Sequence, residues 1–441
     1  MLRNSDYHDG DRSAAGSFGA FVANARDAGQ LVVQPRMGFQ DPRRMRRGLL
    51  ATKAARCVSV GTITIDSYTR VGDLAAAREA VQFNHDLNGY PIVAHPARTT
   101  CAVLDGVSDE TFPVQVRHGS AEPQEIVAAM LRCQLTATEG GPVSYCLPYS
   151  RLSIRQSVRN WSRACRMLSE AAEETDIAHN ARPHLETFGG CMLGQLCPPD
   201  LLLAISVLEG MFFRQHGLQS ISLSYAQQTH PDQDDEAVRA LRRLAAELLP
   251  AVDWHIVVYA YMGLFPRTSV GAGKLLDSAA RLAVRTGSER LIVKTRSEAH
   301  RIPTAEENVD ALERAAAVAA IEACGGRPKA VRGGTARIAT KAETGIYDCA
   351  RGLIEAVRGL DDDLGQALVR AFQLGILDVP FCLHPDNARR SRSYLDADGR
   401  LQWSNVGAMP IPTDRQARAE YDLSSSDLLA ALSYVQRTFD R

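Results

Sequence analysis

Over roughly 300 residues, short β-branched runs alternate with helix-length amphipathic stretches. Parallel strands need a crossover of a dozen or more residues between them, usually a helix, so this is the pattern of βα units building a parallel sheet. Strand candidates fall at residues 31–36, 59–65, 90–95, 112–117, 135–138, 184–188, 220–225, 255–261 and 291–295. Between them, segments such as 123–133, 154–174 and 236–249 carry apolar residues at helical spacing with charges interleaved. A repeat of this length suits a (β/α)8 TIM barrel, an α/β fold, better than an open sheet. Nine candidates compete for eight barrel positions, and the run at 31–36 is expected to be a lead-in strand or loop whose arginine reaches the mouth from outside the eight.

No Gly-x-Gly-x-x-Gly follows an early strand, which argues against a doubly wound dinucleotide-binding sheet. The string Gly271-Ala-Gly-Lys274 lacks the spacing of a phosphate loop and reads as a turn. The expected organisation is an N-terminal extension (1–30), a catalytic barrel (31–330) and a smaller C-terminal α+β region (331–441) that packs on the barrel and supports a dimer. Residues 1 to about 17 are expected to be a mobile tail.

Fifty Lys plus Arg stand against 51 Asp plus Glu, and a net charge of -1 offers neither nucleic acid nor an anionic membrane an electrostatic handle. The polar start does not resemble a signal peptide, and no stretch approaches the ~18 continuous apolar residues of a membrane helix. Ten cysteines without a framework spacing suggest free thiols in a reducing compartment, hence the cytoplasm. Cys191 and Cys197 lack the partners a zinc site needs, so no metal is assigned to the chain itself.

Three arginines end separate strand-like segments: Arg36 after Gln34-Pro35, Arg70 after Asp66-Ser-Tyr-Thr, and Arg117 before His118-Gly119. A guanidinium is permanently charged and presents a planar fork that matches a carboxylate, so three of them at one barrel mouth describe a clamp for a small di-acid. Other polar groups reach the same mouth: Glu139 before Gly140-Gly141, then Tyr145 and Tyr149, and Lys294 with Glu298 after the last strand. Taken singly, each arginine is better read as a salt-bridge partner of acidic loop residues, Glu139 as a turn cap, and the tyrosines as packing.

Together with Leu87-Asn88-Gly-Tyr-Pro91, Cys197-Pro-Pro199, Met262-Gly-Leu-Phe-Pro266, Ile302-Pro-Thr304, Gly375-Ile-Leu-Asp-Val-Pro-Phe381 and Trp403-Ser-Asn-Val-Gly407, these residues resemble the large (epsilon) subunit family of glutamate mutase, over about residues 31–410. The resemblance implies a TIM barrel and the adenosylcobalamin-dependent radical rearrangement of L-glutamate to threo-3-methylaspartate, an isomerase reaction. It places the family's substrate-binding arginines on Arg36, Arg70 and Arg117, its catalytic base on Glu139, and its pocket tyrosines on Tyr145 and Tyr149. Lys294 and Glu298 match residues at the adenosyl ribose; Asn88 and Pro148 match others on the cofactor side.

The family's cobalamin is held mainly by a small (sigma) subunit through an Asp-x-His-x-x-Gly loop. The nearest string here, Asp6-Tyr-His8-Asp-Gly10, has the wrong spacing. A separate small cobalamin-binding subunit is therefore an expected partner, with a homodimer of this chain inside a heterotetramer. The chain departs from the family's Phe-His-Gln-Trp before Met-Gly with Val258-Tyr259-Ala260-Tyr261, and near Tyr225 with Ser224-Tyr225-Ala-Gln-Gln-Thr-His230. Two alternatives stay open: a divergent mutase or lyase acting on another amino dicarboxylate, and a noncatalytic di-acid-binding subunit.

Overall fold

The computed structural model describes residues 17–174, 182–192, 196–299, 301–325, 344–412 and 424–441. The expected mobile tail up to residue 16, the string around His8 and the expected boundary at 330/331 lie outside the described residues. Eight parallel strands form one sheet: β1 (Val32–Gln34), β2 (Gly61–Thr64), β3 (Val114–Arg117), β4 (Ala137–Gly140), β5 (His184–Thr187), β6 (Ser220–Ala226), β7 (Asp253–Tyr259) and β8 (Arg290–Ile292). Their order is β1-β8-β7-β6-β5-β4-β3-β2, and the two ends meet at a parallel bridge from Val33 to Ser59, where Val33 N donates to Val58 O at 2.9 Å. The sheet thus closes into a TIM-type barrel with helices outside.

The surplus strand is not the one expected. Residues 31–36 supply β1, a full barrel member whose Val32, Val33 and Gln34 pair with Arg290, Leu291 and Ile292. Residues 90–95 supply only a single bridge, Tyr90 to Ile65. Pro91 has no N–H for a ladder, and the chain turns there, with Ala94 N and His95 N both donating to Pro91 O at 3.0 Å. Tyr90 and Ile92 are apolar for a different reason: they are buried in a core cluster with Ile65 and Val103.

Gly271-Ala-Gly-Lys274 is likewise no turn, since it lies in the helix Ser269–Thr286, whose cap Thr268 accepts from Gly271 N at 3.0 Å. Its glycines answer close packing. A Cβ on Gly271 would lie 2.6 Å from Phe439 O, and one on Gly273 would lie 2.9 Å from Arg296 Nη2.

The helix Phe18–Asp27 covers the amino-terminal end of the barrel, stacking the Phe18 ring on His184 at 5.0 Å. The helix Pro199–Gln215 is apolar nearly all round because it is buried nearly all round: β5 and β6 lie beneath it, and the helices Ile346–Arg358 and Leu364–Leu374 lie against it. A C-terminal antiparallel hairpin, β9 (Arg392–Leu395) with β10 (Leu401–Asn405), is tied to the same helix by Trp403 Nε1, which donates to Asp200 Oδ2 at 2.9 Å. The expected smaller C-terminal α+β region is therefore present. Among the described residues no helix is long and apolar enough to cross a membrane, and no two cysteines are joined in a disulfide.

Candidate functional site at the barrel mouth

Arg117 ends β3 and Glu139 sits near the end of the adjacent β4, so parallel pairing sets them side by side at the carboxyl end of the barrel. Arg117 Nε donates to Glu139 Oε2 at 2.7 Å, with the two side chains 5% and 3% exposed. Tyr145, in the turn that follows β4, donates its hydroxyl to Glu139 Oε1. Tyr259, at the end of β7, approaches Glu139 Oε2 at 2.9 Å and lies under the Arg117 guanidinium, 5.1 Å from ring centroid to Cζ. Burial opposes the Arg117 charge, but Glu139, with the two phenols, holds that guanidinium well above its ordinary value. Burial and then the Glu139 charge push the Tyr145 hydroxyl well up, so it remains a donor.

The other arginines stand nearer the rim. Arg70, on the short helix Ser67–Arg70 after β2, donates from Nε to His118 O at 2.9 Å, while Arg36 after β1 reaches Glu298 Oε2 at 3.4 Å. Tyr149 links the two halves of the set. Its ring is 6.1 Å from that of Tyr145, the residue is 46% exposed, and the charges of both Arg36 and Arg70 oppose the upward pull that partial burial exerts on its phenol.

His118 bridges the inner and outer arginines. Its Nδ1 accepts from Ser120 N at 3.0 Å, which assigns the ring proton to Nε2. That Nε2 is buried and has no well-formed hydrogen bond among the described residues, although the Glu139 backbone lies close enough to oppose the lowering of the ring's pKa. Burial first, then the Arg70 and Arg117 charges, lower the His118 pKa to about 3, so the ring is a neutral donor.

On the opposite side of the mouth, Lys294 is 7% exposed with Nζ 4.2 Å from the Phe265 ring centroid. Burial lowers its pKa to about 8, with Glu298 opposing and Arg36 adding to the shift. The Glu298 carboxylate is oriented by Thr295 N at 3.0 Å. Asn88 is exposed at the rim and accepts from Ser67 N at 3.0 Å, which fixes the start of the Arg70 helix; Pro148 lies between Tyr145 and Tyr149.

Several groups that shape the site were not singled out from sequence. Inside the barrel, Arg290 on β8 is fully buried and contacts Glu186 and Gln34 directly, with Ser222 Oγ at 3.0 Å and His255 Nε2 at 3.2 Å. Glu186 on β5 in turn contacts the Tyr259 hydroxyl. Below the mouth, Glu209 on the helix Pro199–Gln215 accepts from Val143 N, Ser144 N and Gly189 N at 3.2, 2.9 and 2.9 Å, and from the Ser144 hydroxyl at 3.0 Å. It thereby pins the turns after β4 and β5 to one point. An acid in the middle of an otherwise apolar helical run was a usable signal for Glu209. Polar residues at alternate positions of His184-Leu-Glu-Thr were one for Glu186.

Residues 13–426 match the family model described as Methylaspartate mutase E chain. The chain is 29% identical to the "Glutamate mutase epsilon subunit" of Yersinia enterocolitica over 83% of its length and 75% of that protein. It is 31% identical to the protein of that name from Halobacterium salinarum, over 81% of its length and 74% of that protein. The protein so named in Escherichia coli O157:H7 is 28% identical over 90% of this chain and 82% of its own length. With barrel topology, mouth geometry and a family match spanning nearly the whole chain, the protein belongs to the methylaspartate mutase E chain family.

Proposed function

We propose that this chain is the substrate-binding catalytic subunit of an adenosylcobalamin-dependent mutase that rearranges L-glutamate to threo-3-methylaspartate. The observation that carries the reading is the buried Arg117–Glu139 pair at the mouth, flanked by Arg36 and Arg70. Burying ions costs several kcal/mol each unless they are well paired, and this cluster holds more cations than its own carboxylates neutralise. A dicarboxylate supplies the missing negative charge.

In this reading Arg36, Arg70 and Arg117 hold the two carboxylates, and the His118 Nε2–H, without a well-formed partner among the described residues, adds a fourth donor. Tyr145 fixes the rotamer of Glu139, which accepts from the substrate ammonium. Clamping both ends of the substrate keeps its fragments in register, and orientation of this kind is worth on the order of 7 kcal/mol. The residues opposite suit the adenosyl group: Lys294 offers an ammonium beside the acceptor Glu298, a donor–acceptor pair matched to ribose hydroxyls, and Asn88 and Pro148 complete that side. When bound, the cofactor supplies the radical that starts the rearrangement; the protein supplies position and dryness.

A small cobalamin-binding subunit completes the assembly. Tyr68, Leu264, Ile302 and Leu383, on segments around the mouth, are 41%, 52%, 50% and 82% exposed, an apolar rim of the kind that partners cover. The test is to mix the chain with a cognate small subunit, adenosylcobalamin and L-glutamate and follow methylaspartate together with the cob(II)alamin signal. Product that requires every component is expected. A well-formed complex giving neither product nor signal would overturn the reading.

A further inference from the structure

We propose that Glu139, Tyr259 and Glu186 share one proton beyond the phenol's own, passed between the two carboxyls by the Tyr259 hydroxyl. A phenol oxygen offers one hydrogen and two lone pairs. Three groups converge on Tyr259 Oη: Arg117 Nη2 at 3.3 Å, Glu139 Oε2 at 2.9 Å, and Glu186 Oε1.

The guanidinium can only donate, so it takes a lone pair. The phenol hydrogen serves one carboxyl. An ionised second carboxyl is acceptor-only and would face the remaining lone pair, oxygen against oxygen, in a site where all three residues are 3% exposed or less. A hydrogen on that second carboxyl turns the contact into a bond.

The surroundings favour sharing over a fixed location, because each carboxyl has its own buried cation. Glu139 Oε2 receives Arg117 Nε at 2.7 Å and its Oε1 receives Tyr145. Glu186 Oε2 receives Arg290 Nη2, with Ser222 Oγ at 3.2 Å and Gln115 Nε2 at 3.3 Å. The charged and titratable groups facing the phenol are therefore Arg117 from β3, Glu139 and Tyr145 from β4 and its turn, Glu186 and Cys191 from β5 and its turn, and Arg290 behind Glu186 from β8.

Transfer is balanced and needs no co-reactant. The hydrogen on Glu139 Oε2 passes to Tyr259 Oη as the phenol hydrogen passes to Glu186 Oε1, leaving the charge of the triad unchanged. Glu139 can then be emptied to receive a ligand's ammonium without exporting a proton through the mouth. This sharing stands on the hydrogen bonds and does not depend on the mutase reading.

The experiment is infrared spectroscopy of the ligand-free protein at neutral pH in H2O and D2O, comparing wild type with E139Q, E186Q and Y259F, each first verified as folded by circular dichroism. Other buried carboxyls, Glu209 and Asp234, stay in every spectrum and cancel in the differences. The expected result is loss of one protonated-carboxyl carbonyl band, isotope-sensitive, in E139Q and equally in E186Q, since removing either partner lets the phenol hydrogen satisfy the other. Y259F loses the same band because the carboxyls no longer face a common oxygen, and this arm decides the matter if a glutamine variant misfolds. Difference spectra that contain only ionised-carboxylate bands, or a band that survives in Y259F, overturn the proposal.

Discussion

Arg117 keeps two jobs apart by using different edges of one guanidinium: Nε is bonded to Glu139 at 2.7 Å, Nη2 approaches Tyr259 at 3.3 Å, and the remaining hydrogens are left for a ligand. A lysine has one nitrogen for both tasks. In Arg117→Lys the ammonium stays with Glu139, the nearest counter-charge, and the ligand loses its fork. Calorimetric titration of L-glutamate should show affinity lowered by roughly 100-fold, about 3 kcal/mol, with the fold retained; wild-type affinity would remove Arg117 from ligand binding. Residues of this kind were legible because a charged side chain at a strand end has few apolar explanations. Arg290 and Glu186 were not, because a charge at the start of one strand or inside another looks like a solvent-facing residue until closure of the barrel turns that face inward. The role of His118 is hidden in the sequence for a related reason: only coordinates tell that Ser120 N occupies Nδ1 and leaves Nε2 without a well-formed partner among the described residues.

Among the elements, composition and hydrogen bonding part company at two proline-bearing segments. Residues 31–36 and 90–95 both contain β-branched runs beside a proline, but Pro35 follows the last ladder residue of β1 whereas Pro91 interrupts its run at the second position. The helix Pro199–Gln215 governs the site indirectly through Glu209, whose pKa is raised by burial to about 7 against the pull of the Ser144, Val143 and Gly189 hydrogen bonds. A folded-state value above the ordinary 4.5 means that the native protein binds the proton more tightly than the unfolded chain. Stability from this group therefore rises as pH falls from about 7 towards 4.5, and the burial penalty is complete above that window. Asp234, raised by burial to about 8, acts in the same direction. Glu209→Gln should flatten the gain in denaturant-measured stability between pH 7.5 and 5.5, by no more than about 3 kcal/mol, leaving the Asp234 share. An unchanged profile would mean that Glu209 does not titrate in that window.

For the whole molecule, the question is why a barrel closed at one end by the helix Phe18–Asp27 and buttressed along one side by the helices Ile346–Arg358 and Leu364–Leu374 leaves apolar side chains around its open mouth. Scattered exposed leucines need no explanation, but Tyr68, Leu264, Ile302 and Leu383 come from four separate segments gathered on the face where the candidate site opens. Leu383 is the sharpest case. It is 82% exposed, although its neighbours are fixed in place, Cys382 Sγ donating to Leu147 O at 3.7 Å and His384 Nε2 lying 2.9 Å from Leu152 O, so a rigid segment presents it outward. If a small subunit covers this rim, a charge there is buried without a partner on assembly and costs several kcal/mol, while the free chain tolerates it within about 0.5 kcal/mol. Leu264→Asp and Leu383→Asp should therefore keep the wild-type melting temperature and each weaken binding of the cobalamin-loaded small subunit by at least about 10-fold in a sedimentation or interferometry titration. Ile321→Asp is the control, because Ile321 is 74% exposed near the far end of the outer helix Ala305–Cys324, which runs away from the mouth. Equal losses from all three would indicate a general effect of added charge, and no loss from the first two would place the partner on another face.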